Sequence, residues 1–208
     1  MKTEDYKKGI QALIMTVLTW GVIECDFIPL FIPNQVLAFG ISPVIWGIGA
    51  FCILAGLKRQ NMGELYDTNG HLVGRDWLLL FFVVAGGISI AVRNYFYAGM
   101  KPLLIREFFS SYPLYTIRNI LYYPLEVLLM LELLVYAQRA GECLTKKEGI
   151  PWGALALFFL WGLPHLAHGF EDGIVSALNA FVYAIPFYAS RKKAKVSYVS
   201  MLILWLLV

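Results

Sequence analysis

Seven apolar runs, separated by short polar segments, constrain the fold of this chain more than any other feature of its sequence. A helix needs about 20 apolar residues to cross a bilayer. We therefore predict an all-α fold, a polytopic transmembrane helical bundle of about seven helices that forms a single domain over residues 1–208. The predicted helices are Ile10–Ile28, Gln35–Leu57, Trp77–Phe96, Ile117–Gln138, Trp152–Gly169, Gly173–Ser190 and Val196–Val208.

The composition agrees with this architecture. Hydrophobic residues make up 59% of the chain and charged residues 15%, whereas about a quarter of the residues in a soluble domain are charged. We therefore predict a multi-pass protein of the cell membrane in contact with membrane lipid. The net charge of +3 comes from cations in short loops rather than from a basic patch, so we predict no nucleic-acid partner.

The distribution of cations predicts the orientation of the bundle, because Lys and Arg are retained in cytoplasmic loops. Alternate predicted loops hold thirteen of the 17 Lys and Arg residues: Lys2, Lys7, Lys8, Lys58, Arg59, Arg75, Arg139, Lys146, Lys147, Arg191, Lys192, Lys193 and Lys195. The N-terminus is therefore predicted to be cytoplasmic. Between the helices we expect a polar loop at Lys58–Asp76 and an interfacial amphipathic connector at Lys101–Pro113.

A carboxylate stands near the middle of the fourth predicted helix. Helical spacing places Glu126 on one face with Asn119, Met130 and either Tyr122 or Tyr123. A carboxyl group at membrane depth is costly, so it is either protonated or paired with a donor such as a tyrosine hydroxyl or an imidazolium. We interpret Glu126 as functional; the alternative is a glutamic acid that only bonds a neighbouring helix.

A second glutamate lies on a different face of the same helix. Glu132 points roughly 120° away from Glu126, at ~100° per residue, and shares its face with Tyr136 and Arg139. We interpret Glu132 as an interfacial residue that pairs with Arg139 near the cytoplasmic end.

Two histidines lie near the end of the fifth predicted helix. His165 and His168 share a face with Trp161, and Pro164 frees a carbonyl one turn back because it lacks an N–H. Two histidines and a carboxylate can bind zinc, but local spacing supplies no third ligand, so the metal is unknown and no other cofactor is predicted. We favour proton transfer or hydrogen bonding by His165.

Further polar residues crowd the outer half of the predicted bundle. Glu24 and Asp26 lie near the end of the first helix, Arg93 and Asn94 at the matching end of the third, and Asn179 on the sixth. This placement is compatible with a cavity that opens outward. The alternative is a set of interfacial ion pairs such as Glu24 with Arg93.

The sequences Pro124-Leu125-Glu126 and Trp161-Gly162-Leu163-Pro164-His165 resemble the CPBP family of intramembrane proteases. That family includes CAAX prenyl proteases and bacteriocin-processing or self-immunity proteins. The resemblance covers about residues 121–200 and implies a helical bundle with a glutamate on one helix and a histidine at the end of the next, preceded four residues earlier by an aromatic residue.

The chain departs from the family pattern at several positions. Glu126 is followed by Val127, where the family has paired glutamates followed by arginine, and the last helix offers only Ser197, Tyr198 and Ser200 as polar groups in place of a histidine and an asparagine. The resemblance is therefore to a divergent or degenerate member. Glu126 and Glu132 both remain candidates for the family glutamate.

The resemblance implies peptide hydrolysis within the membrane, on a peptide or lipidated peptide. The candidate catalytic residues are Glu126, His165, Asn119, Tyr122, Tyr123 and His168. The alternative is a pseudoenzyme, a catalytically inactive relative that acts as a peptide- or lipid-binding, immunity or scaffold protein of the membrane. A transporter is a third interpretation, for which the sequence contains no inverted repeat.

Overall fold

The computed structural model describes residues 3–33, 35–59, 74–98 and 113–207, and within these ranges the chain is all-helical and has no strand. A 3-10 segment, Cys25–Phe31, follows the first helix. The predicted loop and connector fall largely on residues 60–73 and 99–112, which lie outside the described residues. The α-helices are α1 Thr3–Glu24, α2 Gln35–Arg59, α3 Gly74–Ala98, α4 Pro113–Thr145, α5 Trp152–Leu157, α6 Phe170–Ala189 and α7 Ala194–Leu207.

The predicted all-α fold is confirmed, and three of the described helices are long and apolar enough to cross a membrane. These stretches are Gly74–Arg93 in α3, Thr116–Thr145 in α4 and Phe170–Ala189 in α6. The other apolar helical stretches are shorter: Gly40–Gly56, Trp152–Ala167 and Ala194–Leu207. The first helix carries charged residues at both ends, which reduces its apolar length.

The helix ends differ from the predicted ends for local reasons. The helix α1 ends at Glu24 rather than Ile28, because Pro29 lacks an N–H and disfavours α-helical backbone just before it. By contrast, α4 is longer than predicted and continues past Gln138 to Thr145. Apolar patterning marks the buried part of a helix, whereas its hydrogen-bonded backbone extends into polar sequence.

The helix α4 forms the centre of the molecule. Every residue from Glu126 to Gln138 except Leu128 is buried, so this stretch is enclosed on all sides. It packs against α1, α2, α5 and α7. The helix α3 lies at the periphery, where it contacts mainly α7 and exposes large apolar side chains such as Phe81 and Phe82.

Two glycines bring the fifth helical region, Trp152–Ala167, close to its neighbours. A Cβ atom on Gly153 would lie 2.3 Å from the carbonyl oxygen of Leu134 in α4. A Cβ atom on Gly162 would lie 2.5 Å from the Cα atom of Ala177 in α6. Small residues allow such backbone approaches between helices. The fifth helical region is therefore held tightly between α4 and α6.

Ion pairs join the basic segments at one end of the bundle. The Lys146 ammonium contacts the Asp5 carboxylate at 3.2 Å, and the Lys193 ammonium contacts the buried Asp76 carboxylate at 2.8 Å. Lys192 also pairs with Glu142 near the end of α4. These contacts bring the start of α1, the start of α3, the end of α4 and the α6–α7 turn to the same end.

Candidate functional site

The fifth helical region changes its backbone geometry twice. After α5 the chain forms a π-helical turn, Phe158–Gly162, and then a 3-10 turn, Leu163–Ala167. The predicted fifth helix, Trp152–Gly169, is therefore α-helical only over Trp152–Leu157 and is helical in other registers up to Ala167. Short π-helical turns inside α-helices often occur at functional sites. The sharp turn into α6 passes through Gly169, whose φ of 149° is readily adopted only by glycine.

The broken helix fixes the orientation of one histidine. In a 3-10 register the carbonyl of Trp161 would accept a hydrogen bond from residue 164, but Pro164 has no N–H. The His165 Nδ1 atom lies 2.8 Å from that carbonyl oxygen instead. A carbonyl oxygen only accepts hydrogen bonds, so Nδ1 donates, and a neutral His165 carries its lone pair on Nε2.

The same tryptophan binds the glutamate through its side chain. The Trp161 indole Nε1 donates a hydrogen bond of 3.3 Å to the Glu126 Oε1 atom. Both side chains are almost fully buried, at 5% exposure for Glu126 and 3% for Trp161. Trp161 therefore contacts both central candidate residues, with its indole on Glu126 and its carbonyl on His165. The sequence prediction named a tyrosine or an imidazolium as the donor to Glu126 and missed this indole.

Glu126, His165 and His168 line one open cavity of about 410 Å³. The two imidazole ring centres are 5.9 Å apart, and the Trp161 ring lies 4.8 Å from the ring of His165. The cavity lies away from the basic end, since the end of α1, the early part of α4 and the end of the fifth helical region surround it. The structure thus brings a carboxylate and both imidazoles to one cavity.

The remaining predicted site residues divide into two groups. Tyr122 lines the cavity and stacks on Trp46 of α2 with ring centres 4.5 Å apart. Asn119 is buried one turn before Tyr122 and is not part of the lining. Tyr123 is also outside the lining and packs towards Trp205 of α7, with ring centres 6.3 Å apart.

The cavity also includes residues that the sequence did not assign to it. Phe27 of the 3-10 segment lines the cavity and stacks on the His168 ring at 6.0 Å, and Trp46 closes the α2 side. Both residues lie in apolar sequence that carries no functional signal. Glu24, which the sequence analysis placed among the polar residues compatible with an outward-opening cavity, also lines it, from the end of α1.

Glu24 does not form an ion pair with Arg93, which was one alternative that the sequence left open. Its Oε1 atom accepts a hydrogen bond of 2.8 Å from the Trp20 indole, and Arg93 forms no ion pair among the described residues. The helices α1 and α3 are not packed neighbours, which explains why the two charges do not meet. Of Asp26 and Asn94, only the backbone is described.

The interpretation of Glu132 as an interfacial residue is wrong. Its side chain has 0% exposure, and neither carboxyl oxygen finds a hydrogen-bond partner within the described part of the chain. The continuation of α4 to Thr145 explains the difference, because position 132 then lies deep in the bundle rather than near a helix end. Glu132 is also outside the cavity lining, so of the two candidates for the family glutamate only Glu126 shares a cavity with the histidines.

The described residues are not arranged as the zinc site that was one interpretation of the sequence. No group of three or more His, Cys, Asp or Glu side chains is arranged to hold a metal ion within residues 3–33, 35–59, 74–98 and 113–207. We therefore derive no chemical step through a metal.

Comparisons of the chain with protein-family models, with curated proteins and with solved structures gave no match.

Proposed function

We propose that the protein is a multi-pass membrane protein with a cytoplasmic N-terminus. The proposal is supported by the three long apolar helices, by the large apolar side chains that α3 exposes, and by the collection of Lys and Arg at one end of the bundle. Cations are retained on the cytoplasmic side, so the basic end faces the cytoplasm and the cavity faces the opposite side.

We further propose that the cavity hydrolyses peptide bonds within the membrane, in the manner of the CPBP proteases that the sequence resembles. One observation carries this proposal: Glu126, His165 and His168 line a single open cavity. Ionisable groups at membrane depth are expensive and usually serve a function.

In the proposed reaction, a water molecule donates hydrogen bonds to the Glu126 carboxylate and to Nε2 of His165. Glu126 takes one proton as the water oxygen attacks the peptide carbonyl carbon, and the carbonyl oxygen becomes an oxyanion. Tyr122 and His168 supply hydrogen-bond donors to that oxyanion. The proton held by Glu126 then passes to the peptide nitrogen as the C–N bond breaks, which gives a carboxylic acid and an amine.

The test follows heavy oxygen from solvent into product. Membranes that contain the wild-type protein are incubated in heavy-oxygen water, and mass spectrometry identifies peptides whose new C-termini carry the label. We expect labelled peptides with the wild type and with the matched control Glu148→Gln, which changes an exposed loop carboxylate. We expect none with Glu126→Gln. Equal labelling with Glu126→Gln would overturn the proposed hydrolysis.

A non-catalytic binding protein is the second candidate, and the aromatic lining of the cavity favours it. Phe27, Trp46, Tyr122 and Trp161 offer apolar contact area to a peptide or lipid without any chemical step. Such a pseudoenzyme, with a scaffold or immunity role, predicts that a Glu126→Gln/His165→Phe double variant still captures its partner. A hydrolase predicts that this variant loses product formation.

A further inference from the structure

At the basic end of the bundle, most carboxylates are paired with lysines. Among the described residues of this end, the ion pairs are Glu4 with Lys8, Asp5 with Lys146, Glu142 with Lys192 and Asp76 with Lys193. These pairs leave Glu148, in the exposed loop after α4, as the remaining carboxylate in the described part of this end. The carboxylates here therefore neutralise four lysines and little else.

Five other cations at this end are exposed and take part in no ion pair within the described residues. The ion pairs between α1, α3, α4 and the α6–α7 turn hold the segments that carry them together. We call these five cations the basic surface: Lys7, Arg75, Lys147, Arg191 and Lys195. Residues 60–73, which the structure does not describe, contain two carboxylates by sequence, Glu64 and Asp67, so the excess of positive charge remains.

Three of these cations stand at the end of an exposed apolar helix face. Residues three, four or seven positions apart lie on the same face of a helix. At these spacings the exposed pairs are Arg75 with Leu78 in α3, Lys195 with Val199 in α7 and Lys7 with Ile14 in α1. In a membrane-spanning bundle such apolar faces contact acyl chains, so each of these cations lies where a lipid-facing surface reaches the headgroups.

Two exposed aromatic side chains mark the same level. Tyr6, beside Lys7 in α1, is 46% exposed, and Trp77, two residues after Arg75 in α3, is 60% exposed. Tyrosine and tryptophan are enriched where a membrane meets water, because each side chain combines an apolar ring with a hydrogen-bonding group. Their presence on two helices indicates that the adjacent cations lie at headgroup depth.

We propose that the basic surface binds anionic phospholipids of the cytoplasmic leaflet. Its cations contact the phosphate groups, and the apolar faces beside them contact the acyl chains of the same lipids. Clusters of Lys and Arg next to membrane-spanning helices attract anionic lipid, and their ammonium and guanidinium groups donate hydrogen bonds to phosphate oxygens. The inference goes beyond the proposed hydrolysis and rests on one part of the proposed function, the membrane placement and its sidedness.

The test uses purified full-length protein in phosphatidylcholine vesicles that contain a trace of spin-labelled phosphatidylglycerol or spin-labelled phosphatidylcholine. Electron paramagnetic resonance measures the fraction of each labelled lipid that the protein immobilises. We expect phosphatidylglycerol to associate roughly threefold more strongly than phosphatidylcholine at low salt, because only phosphatidylglycerol has a net negative headgroup charge. In about 1 M salt, where the screening length is about 3 Å, the two lipids should associate almost equally.

Two triple variants identify the cations as the source of the preference. Lys7→Gln/Arg75→Gln/Lys195→Gln removes the three charges beside the apolar faces, and we expect the preference for phosphatidylglycerol to fall to roughly 1.5-fold or less. The matched control, Lys7→Arg/Arg75→Lys/Lys195→Arg, keeps every charge and should keep the preference. Equal association of both lipids with the wild type, or an undiminished preference in the neutralised variant, would overturn the inference.

The same measurement separates the lipid site from the membrane placement on which it rests. Equal immobilisation of both lipids at low salt contradicts the anionic-lipid site and leaves the membrane placement intact. If neither lipid is immobilised, the membrane placement fails, and the inference fails with it.

Discussion

Trp161 links the two side chains that the proposed chemistry uses. Its indole N–H donates to Glu126 and its carbonyl accepts from His165, so one residue orients both groups. The sequence predicted that Glu126 and His165 share a site, because both are polar groups in apolar helices. It could not predict the indole as the donor, since a tryptophan in an apolar helix is equally suited to pure packing.

The hydrogen bond from Trp161 predicts a difference between two tryptophan variants. Trp161→Phe removes the hydrogen-bond donor to Glu126. We expect it to lower the free energy of unfolding by about 1–3 kcal/mol more than Trp205→Phe does. Trp205→Phe is the matched control, because the buried Trp205 Nε1 has no acceptor among the described residues and its ring packs against Trp161. Unfolding by dodecyl sulfate in mixed micelles measures both. Equal losses would contradict the assigned bond.

The buried carboxyl of Glu132 predicts a stabilising substitution. Glu132→Leu replaces a buried group that has no hydrogen-bond partner in the described chain by an apolar side chain of similar size. We expect the free energy of unfolding to rise by about 1–3 kcal/mol. Glu132→Gln keeps a polar group at the site and serves as the control, with a smaller gain. Destabilisation by Glu132→Leu would show that this carboxyl has a partner essential to the fold.

At the scale of elements, the fifth helical region carries the geometry of the site. Its π-helical and 3-10 turns set the position of His165, and its backbone lies against α6 at Gly162. The sequence predicted a freed backbone carbonyl one turn before Pro164, because proline lacks an N–H. The π-helical turn at Phe158–Gly162 could not be predicted, since it depends on how the helix fits between α4 and α6.

The close approach at Gly162 predicts opposite effects of two glycine substitutions. Gly162→Ala places a methyl group against the Ala177 backbone, which cannot rotate away, so we expect a loss of about 1–3 kcal/mol in stability. Gly86→Ala in α3 meets nothing within 4 Å and should gain about 0.5–1 kcal/mol from the better helix propensity of alanine. Dodecyl sulfate unfolding tests the pair. A tolerated Gly162→Ala would mean that α6 does not lie so close.

For the whole molecule, the ion pairs at the basic end and the cavity towards the other end define two different surfaces. The all-α bundle followed from the apolar runs alone. The sequence did not predict that four other helices enclose α4. A helix face that contacts lipid and one that contacts protein are both apolar, so hydrophobicity does not distinguish them. Together with the unpredicted continuation of α4 to Thr145, this enclosure is why Glu132 lies in the interior and not at an interface.

The two surfaces predict the sidedness of the protein in a membrane. Single cysteines near Lys146 and Arg191, in a background without native cysteines, should react with an impermeant thiol reagent only from the cytoplasmic side. A cysteine at Glu171, in the first turn of α6, should react from the opposite side, because one helical crossing separates it from Arg191. Labelling of all three positions from one side would contradict the proposed crossing of α6.

The central claim is that Glu126 lies in an open cavity, and cysteine accessibility tests it most directly. Cysteine replaces either Glu126 or Glu132 in full-length protein whose Cys25, Cys52 and Cys143 have been changed to alanine. A small water-soluble thiosulfonate is then applied to purified protein in micelles. The account predicts rapid modification of Glu126→Cys and strong protection of Glu132→Cys on the same helix. Equal protection of both cysteines would show that Glu126 is enclosed by packed side chains and would contradict the account.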